Sequence, residues 1–226
     1  MTLNVANLAP GSVRLLRWQL PNVSAYQVDE DSSQYTVVDG VLFSKDMKVL
    51  IAYPVAREGR HYQVPNGVEL IADGAFSDNP HLAERYLPGS VRVIGATACA
   101  GMKALAHVQF CEGVEVIGDY AFERCINLQE ISTPASLRII GHAAFRDANL
   151  SRVTMKDGVL CIMSDAFSHC NAVERFRINL PSTVIYCSPQ FYSPDMEANM
   201  CVYLEKGSYT DRAGIIPAKC VVYDIK

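Results

Sequence analysis

The sequence has no run of the roughly 18 to 20 apolar residues that a spanning helix needs, so no transmembrane segment is read in it. Nor is there an excess of basic charge. Lys and Arg number 20 against 24 Asp and Glu, a net charge of -4, which removes the electrostatic footprint of a nucleic-acid or polyanion binder. No pair of cysteines is spaced Cys-x-x-Cys, which argues against a zinc ribbon or a thioredoxin-like site. The eight cysteines (Cys99, Cys111, Cys125, Cys161, Cys170, Cys187, Cys201, Cys220) are too sparse for a disulfide scaffold in 226 residues, and most are expected to be buried thiols acting as small hydrophobes. The first twenty residues carry no basic leader followed by an apolar segment, so no secretory signal is read; either the protein is cytoplasmic or a signal has been removed. At 50% hydrophobic and 19% charged, the chain is too apolar to be disordered, and one elongated domain is the economical reading.

What is present is a repeat. Phe76, Phe122, Phe145, Phe167 and Phe191 share one phase, with Cys99 in the place of a phenylalanine, and the spacings are 23, 23, 23, 22 and 24. Ile71, Ile94, Ile117, Ile140 and Ile162 precede them, and Leu82, Leu105, Leu128, Leu150 and Val173 follow. One such unit cannot bury its apolar side alone. Stacked units place like residues over like residues and create a continuous core.

Within a unit, LAHVQF, LQEIST, LSRVTM and VERFRI read as a first short strand, and Val91-Arg92-Val93-Ile94 with its equivalents as a second. Segments such as DYAFERC read as a helical turn between them. Neighbouring strands would then be parallel and about 4.8 Å apart. The outward residue of the second strand runs Glu69, Arg92, Glu115, Arg138, an alternation that places opposite charges beside each other in a parallel ladder. Residues 1–62 read as an N-terminal cap and first-repeat remnant with an inserted hairpin at about 36–54, residues 63–192 as the repeats, and residues 193–226 as a β-rich closing cap. The fold class is therefore an α/β-type repeat: a right-handed solenoid of parallel strands and short helical turns with β-rich caps.

The columns, with Gly113-Val114-Glu115-Val116-Ile117-Gly118-Asp119-Tyr120-Ala121-Phe122-Glu123-Arg124-Cys125 as the fullest instance, resemble the BspA-like leucine-rich repeat family. Cys99, Cys111, Lys156 and Met163 depart from its pattern locally. The resemblance implies a bacterial protein displayed on or secreted from the cell, acting in adhesion to host proteins or other cells, with no catalytic residues and no obligatory cofactor.

Cys125 and Cys170 share a column but lie two coils apart, about 10 Å, too far for a bridge. The histidines (His61, His81, His107, His142, His169) fall at different phases and so point to different faces, which disfavours a metal site or a catalytic triad. Asn22-Val23-Ser24 and Asn149-Leu150-Ser151 match the glycosylation acceptor, a pattern common by chance. The candidate binding surface is the outward face of the first-strand sheet: Tyr86, His107, Gln109, Glu130, Arg152, Arg175 and Arg177, the three arginines close together and suited to a carboxylate-bearing partner. The expected partner is a protein or cell-surface ligand, with no nucleic acid and no cofactor. A solvated polar face, a spacer module of a larger surface protein, and an enzyme with a site where the hairpin meets the repeats are the alternatives.

Overall fold

The repeat length closes into a coil because two short strands separated by turns return the chain to its starting column. The computed structural model describes residues 1–6, 8–9, 12–13, 19–156 and 158–170, with Arg85 as backbone alone, together with the backbone of strands at 175–179, 184–185, 200–204 and 221–223. The first strands are β1 (Thr2–Asn4), β2 (Ala25–Gln27), β3 (Tyr35–Val38), β4 (Val41–Ser44) and β5 (Val49–Ala52). First and second strands of successive coils then alternate: β6 (His61–Gln63), β7 (Leu70–Ile71), β8 (Glu84–Tyr86), β9 (Val93–Ile94), β10 (His107–Gln109) and β11 (Val116–Ile117). They continue as β12 (Glu130–Ser132), β13 (Ile139–Ile140), β14 (Arg152–Met155), β15 (Cys161–Ile162), β16 (Arg175–Asn179) and β17 (Val184–Ile185), followed by β18 (Met200–Leu204) and β19 (Val221–Tyr223).

The second strands stack in parallel from β5 to β17, one per coil, and the antiparallel strands β3 and β4 complete a nine-stranded sheet. That hairpin covers what would otherwise be an open sheet edge. A small core of its own, including Val5, Val23, Tyr26, Tyr35 and Leu42, lies beneath it. The first strands form two sheets rather than one: β6, β8 and β10 in the first, and β12, β14, β16, β18 and β19 in the second.

Stacked rings fill the interior. Phe122, Phe145 and Phe167 lie face to face at 5.2 and 5.3 Å with interplanar angles of 3°. Where Cys99 interrupts the column, Phe122 has Phe110 edge-on at 5.7 Å. Cys99, Cys125 and Cys170 are buried thiols, and Cys111 and Cys161 are half-buried thiols. The last phenylalanine of the column, Phe191, and Val173, Cys187 and Cys220 lie outside the described residues, as do the parts of 193–226 beyond β18 and β19.

The segments read as helical turns are not helical. The described residues contain almost no helix, and each of these segments holds two residues of positive φ: Gly74 and Asp78, Thr97 and Gly101, Tyr120 and Arg124, Ala143 and Asp147, Asp165 and His169. Left-handed residues at that interval break the helical ladder and make consecutive tight turns. Backbone bonding explains why the turns are retained. Ala121 and Glu123 N–H groups close four-residue turns onto the Gly118 and Tyr120 carbonyls, whereas the N–H groups of Tyr120, Phe122 and Arg124 donate forward to the carbonyls of His142, Ala144 and Arg146 of the next coil at 2.7 to 2.9 Å. A helix would keep all of these bonds within the segment and leave the coils unjoined there.

Adjacent coils are complementary rather than identical. Coils with Gly67 and Glu69, or Gly113 and Glu115, alternate with coils carrying Ser90 and Arg92, or Ser136 and Arg138. The Gly113 N–H donates to Ser136 Oγ at 2.8 Å, and that hydroxyl donates to the Val114 carbonyl at 2.9 Å; Gly67 and Ser90 repeat the arrangement. Lys48 extends the charged row by one residue, pairing with Glu69 at 2.8 Å, and Arg92 lies 3.9 Å from Glu115. Arg138 instead donates to the carbonyls of Ala135 and Gly158 at 3.0 and 2.9 Å.

Candidate binding face

The alternation of a strand sends every second side chain outward, and parallel pairing then aligns the outward residues of successive coils into rows. In β8 and β10, Glu84 stands beside His107 and Tyr86 beside Gln109. In the second sheet, Glu130 stands beside Arg152, Arg152 beside Arg175, and Thr154 beside Arg177. The register thus brings positions 152, 175 and 177 onto neighbouring strands of one sheet; the side chains of Arg175 and Arg177 are outside the described residues. Arg152 donates to Glu130 Oε1 at 2.8 Å with both side chains half exposed.

Tyr86, His107 and Gln109 are separated from the Glu130 and Arg152 pair by an interruption. Among the described residues no backbone hydrogen bond crosses from β10 to β12, although β9, β11 and β13 run on unbroken behind them and the turns stay joined. The solenoid is therefore continuous on two sides and open on the third. At this seam the inward residues Val108 and Phe110 are each 9% exposed, against 0% for Val153 and 2% for Leu87 in the same columns.

Above the seam lies a cleft of about 420 Å³, walled by Tyr86, His107 and Gln109 on one side and by Glu130, Ser132 and Lys156 on the other. Lys156 reaches back across two coils to Glu112 at 3.0 Å. Its ammonium, with the N–H groups of Ala135 and Ser136, holds the Glu112 carboxyl below the usual carboxylate range. Glu84 lies 3.1 Å from His61 and accepts from the Tyr86 hydroxyl at 3.4 Å. Sequence reasoning placed Tyr86, His107, Gln109, Glu130 and Ser132 on this face but missed Lys156, the cleft and the seam itself. A lysine in a column that holds proline at Pro65, Pro88 and Pro134 was the available signal.

Contrary to the expectation that the histidines fall at different phases, parallel pairing puts His61 and His107 in one column on either side of Glu84; the remaining histidines stay apart. His142 bonds Ser164 at 2.7 Å, and His169 lies 3.4 Å from Asp147. Among the described residues no three His, Cys, Asp or Glu side chains converge as metal ligands, and no helix is long and apolar enough to cross a membrane. The place where the hairpin meets the repeats is occupied by Tyr53, stacked on Phe76 at 5.3 Å and edge-on to Tyr62 at 4.9 Å.

A parallel solenoid of such coils is the architecture of leucine-rich repeat proteins. Residues 59–129 and 115–195 match the BspA type leucine rich repeat region, in six copies, and the chain belongs to that family. The fold is that of the crystal structure of the pneumococcal vaccine antigen PcpA, with a TM-score of 0.66 at 16% identity over 90% of this chain and 50% of that one. A leucine rich cell surface protein from Faecalibacterium prausnitzii is 26% identical, with a TM-score of 0.55 over 85% of this chain and 44% of its own. The leucine rich repeat protein of T. pallidum is also 26% identical, with a TM-score of 0.50 over 78% and 70%. The chain thus spans about half the length of the first two of these structures. No match was found among curated proteins.

Proposed function

We propose that the chain is a non-catalytic protein-interaction or adhesion module displayed on a bacterial cell, and that it binds through its first-strand face. Within it, residues 1–62 and 193–226 act as caps and residues 63–192 as the repeat array. The observation that carries this reading is the parallel register that sets Arg152, Arg175 and Arg177 on adjoining strands, where planar guanidinium groups suit carboxylates on a partner. Similarity to the leucine rich cell surface protein of F. prausnitzii supports the placement at the surface. Extended repeat faces also suit broad, shallow partners better than small substrates.

The test is binding of the whole chain to a panel of soluble extracellular matrix and serum proteins, comparing wild type with the combined Arg152→Ala, Arg175→Ala, Arg177→Ala variant. At least one protein should bind, and the variant should lose that binding while its circular dichroism is unchanged. Undiminished binding by the folded variant removes the arginine face from the account.

A further inference from the structure

The cleft over the seam is not required by the repeat. Every other pair of described first strands in the repeat array is hydrogen-bonded, and only β10 and β12 leave their facing edges and the apolar floor of Val108 and Phe110 partly open. Its charges are already engaged: Glu130 with Arg152 at 2.8 Å, Lys156 with Glu112 at 3.0 Å, and Glu84 with His61 at 3.1 Å and the Tyr86 hydroxyl at 3.4 Å. An anionic or cationic ligand would have to displace one of these internal partners.

What is left over holds no carboxylate, lysine or arginine. The amide of Gln109, the hydroxyl of Ser132 and the imidazole of His107 line the cleft, and none of these side chains is hydrogen-bonded to another of the described residues. Tyr86, 46% exposed, adds an aromatic surface with a polar tip. Amide, hydroxyl and imidazole groups both donate and accept, so their natural complement is a ligand whose groups also do both. An exposed aromatic ring, above a floor where Val108 and Phe110 are each 9% exposed, calls for an apolar face on the same ligand. Vicinal hydroxyls around a ring with a C–H face meet both demands.

We propose that this cleft binds a neutral oligosaccharide, the Tyr86 ring and the Val108–Phe110 floor meeting a sugar C–H face and Gln109, Ser132 and His107 meeting its hydroxyls. The volume of about 420 Å³ lies within the usual range of small-ligand sites and holds a disaccharide or trisaccharide. The proposal rests on the first-strand face being the binding face. It differs in its ligand and in the residues that carry it.

The experiment probes the whole chain on a printed array of neutral and acidic glycans, followed by calorimetry with the neutral disaccharide or trisaccharide that gives the strongest signal. Saturable binding is expected, weakened at least about tenfold by Tyr86→Ala and several-fold by Gln109→Ala, and nearly kept by Tyr86→Phe. The paired Arg175→Ala, Arg177→Ala variant, which keeps the Glu130–Arg152 ion pair on the cleft wall, should bind the glycan as wild type does. Tyr86 and Gln109 face outward on their strands, and circular dichroism of each variant verifies folding. Absence of neutral-glycan binding, binding restricted to acidic glycans, or binding indifferent to Tyr86→Ala and Gln109→Ala would overturn the proposal. If glycans fail but matrix-protein binding is lost in the arginine variant, the face survives and the sugar site does not. A peptide that binds in a Tyr86-dependent way in place of glycans also overturns it.

Discussion

Replacing Gly113 by alanine asks how closely the coils are pressed together, and Gly67→Ala in the same column of another coil supplies the control. Gly113 has φ of +134°, and a Cβ built there lies 2.2 Å from the Gly89 carbonyl oxygen and 2.7 Å from Arg92 Nη1. Gly67 has φ of +94°, with nothing within 4 Å of its Cβ position. Both variants therefore carry backbone strain of about 1–3 kcal/mol. Only Gly113→Ala must also push the preceding coil away and disturb the Arg92 bond to the Gly113 carbonyl, adding about 1–3 kcal/mol by analogy with overpacking. Urea unfolding followed by circular dichroism, with midpoints compared at constant slope, separates the two. Gly113→Ala is expected to lose about 2–6 kcal/mol in all. Equal losses in the two variants would refute the claim that coil contact, rather than local conformation, demands glycine at 113.

Phe145→Ala removes the ring sandwiched between Phe122 and Phe167 and should cost about 3–5 kcal/mol by the same unfolding measurement. Ser136→Ala breaks the link from Gly113 to the Val114 carbonyl and should cost about 1–2 kcal/mol, whereas Arg152→Ala, in an exposed ion pair, should change stability by less than about 1 kcal/mol. Burial pushes the Cys170 thiol up to about 12. Because its folded value is raised, the native state holds this proton after the unfolded chain has lost it, so stability present below about pH 8.5 falls as pH rises toward 12. Cys170→Ala should flatten that alkaline slope. Alkylation of the native protein, mapped by mass spectrometry, should modify Cys111 and Cys161 well before Cys99, Cys125 and Cys170.

The phenylalanine and isoleucine columns made the stacking register legible, because a side chain buried against its own counterpart must recur at the coil length. The charged row was legible for a related reason: Glu69, Arg92 and Glu115 are neighbours only in a parallel ladder. Lys48, which begins that row, belongs to the hairpin and so falls outside the repeat period. The turns were misread as helical because the left-handed positions are glycine only at Gly74 and Gly101, while Tyr120, Arg124, Ala143 and His169 give no conformational signal in the sequence. What holds them is forward bonding to the next coil, a tertiary effect. The seam was illegible because Phe110 and Thr133 look like ordinary members of an inward column, and an absent hydrogen bond leaves no trace in residue type.

The central claim, that this solenoid acts through its first-strand face, is tested most directly by comparing two combined alanine variants for binding to the same matrix and serum protein panel. One variant carries Arg152→Ala, Arg175→Ala and Arg177→Ala on the first-strand face; the other carries Glu69→Ala, Arg92→Ala and Glu115→Ala on the second-strand side. The account predicts that binding is lost in the first and kept in the second. Loss in the second with retention in the first would contradict it.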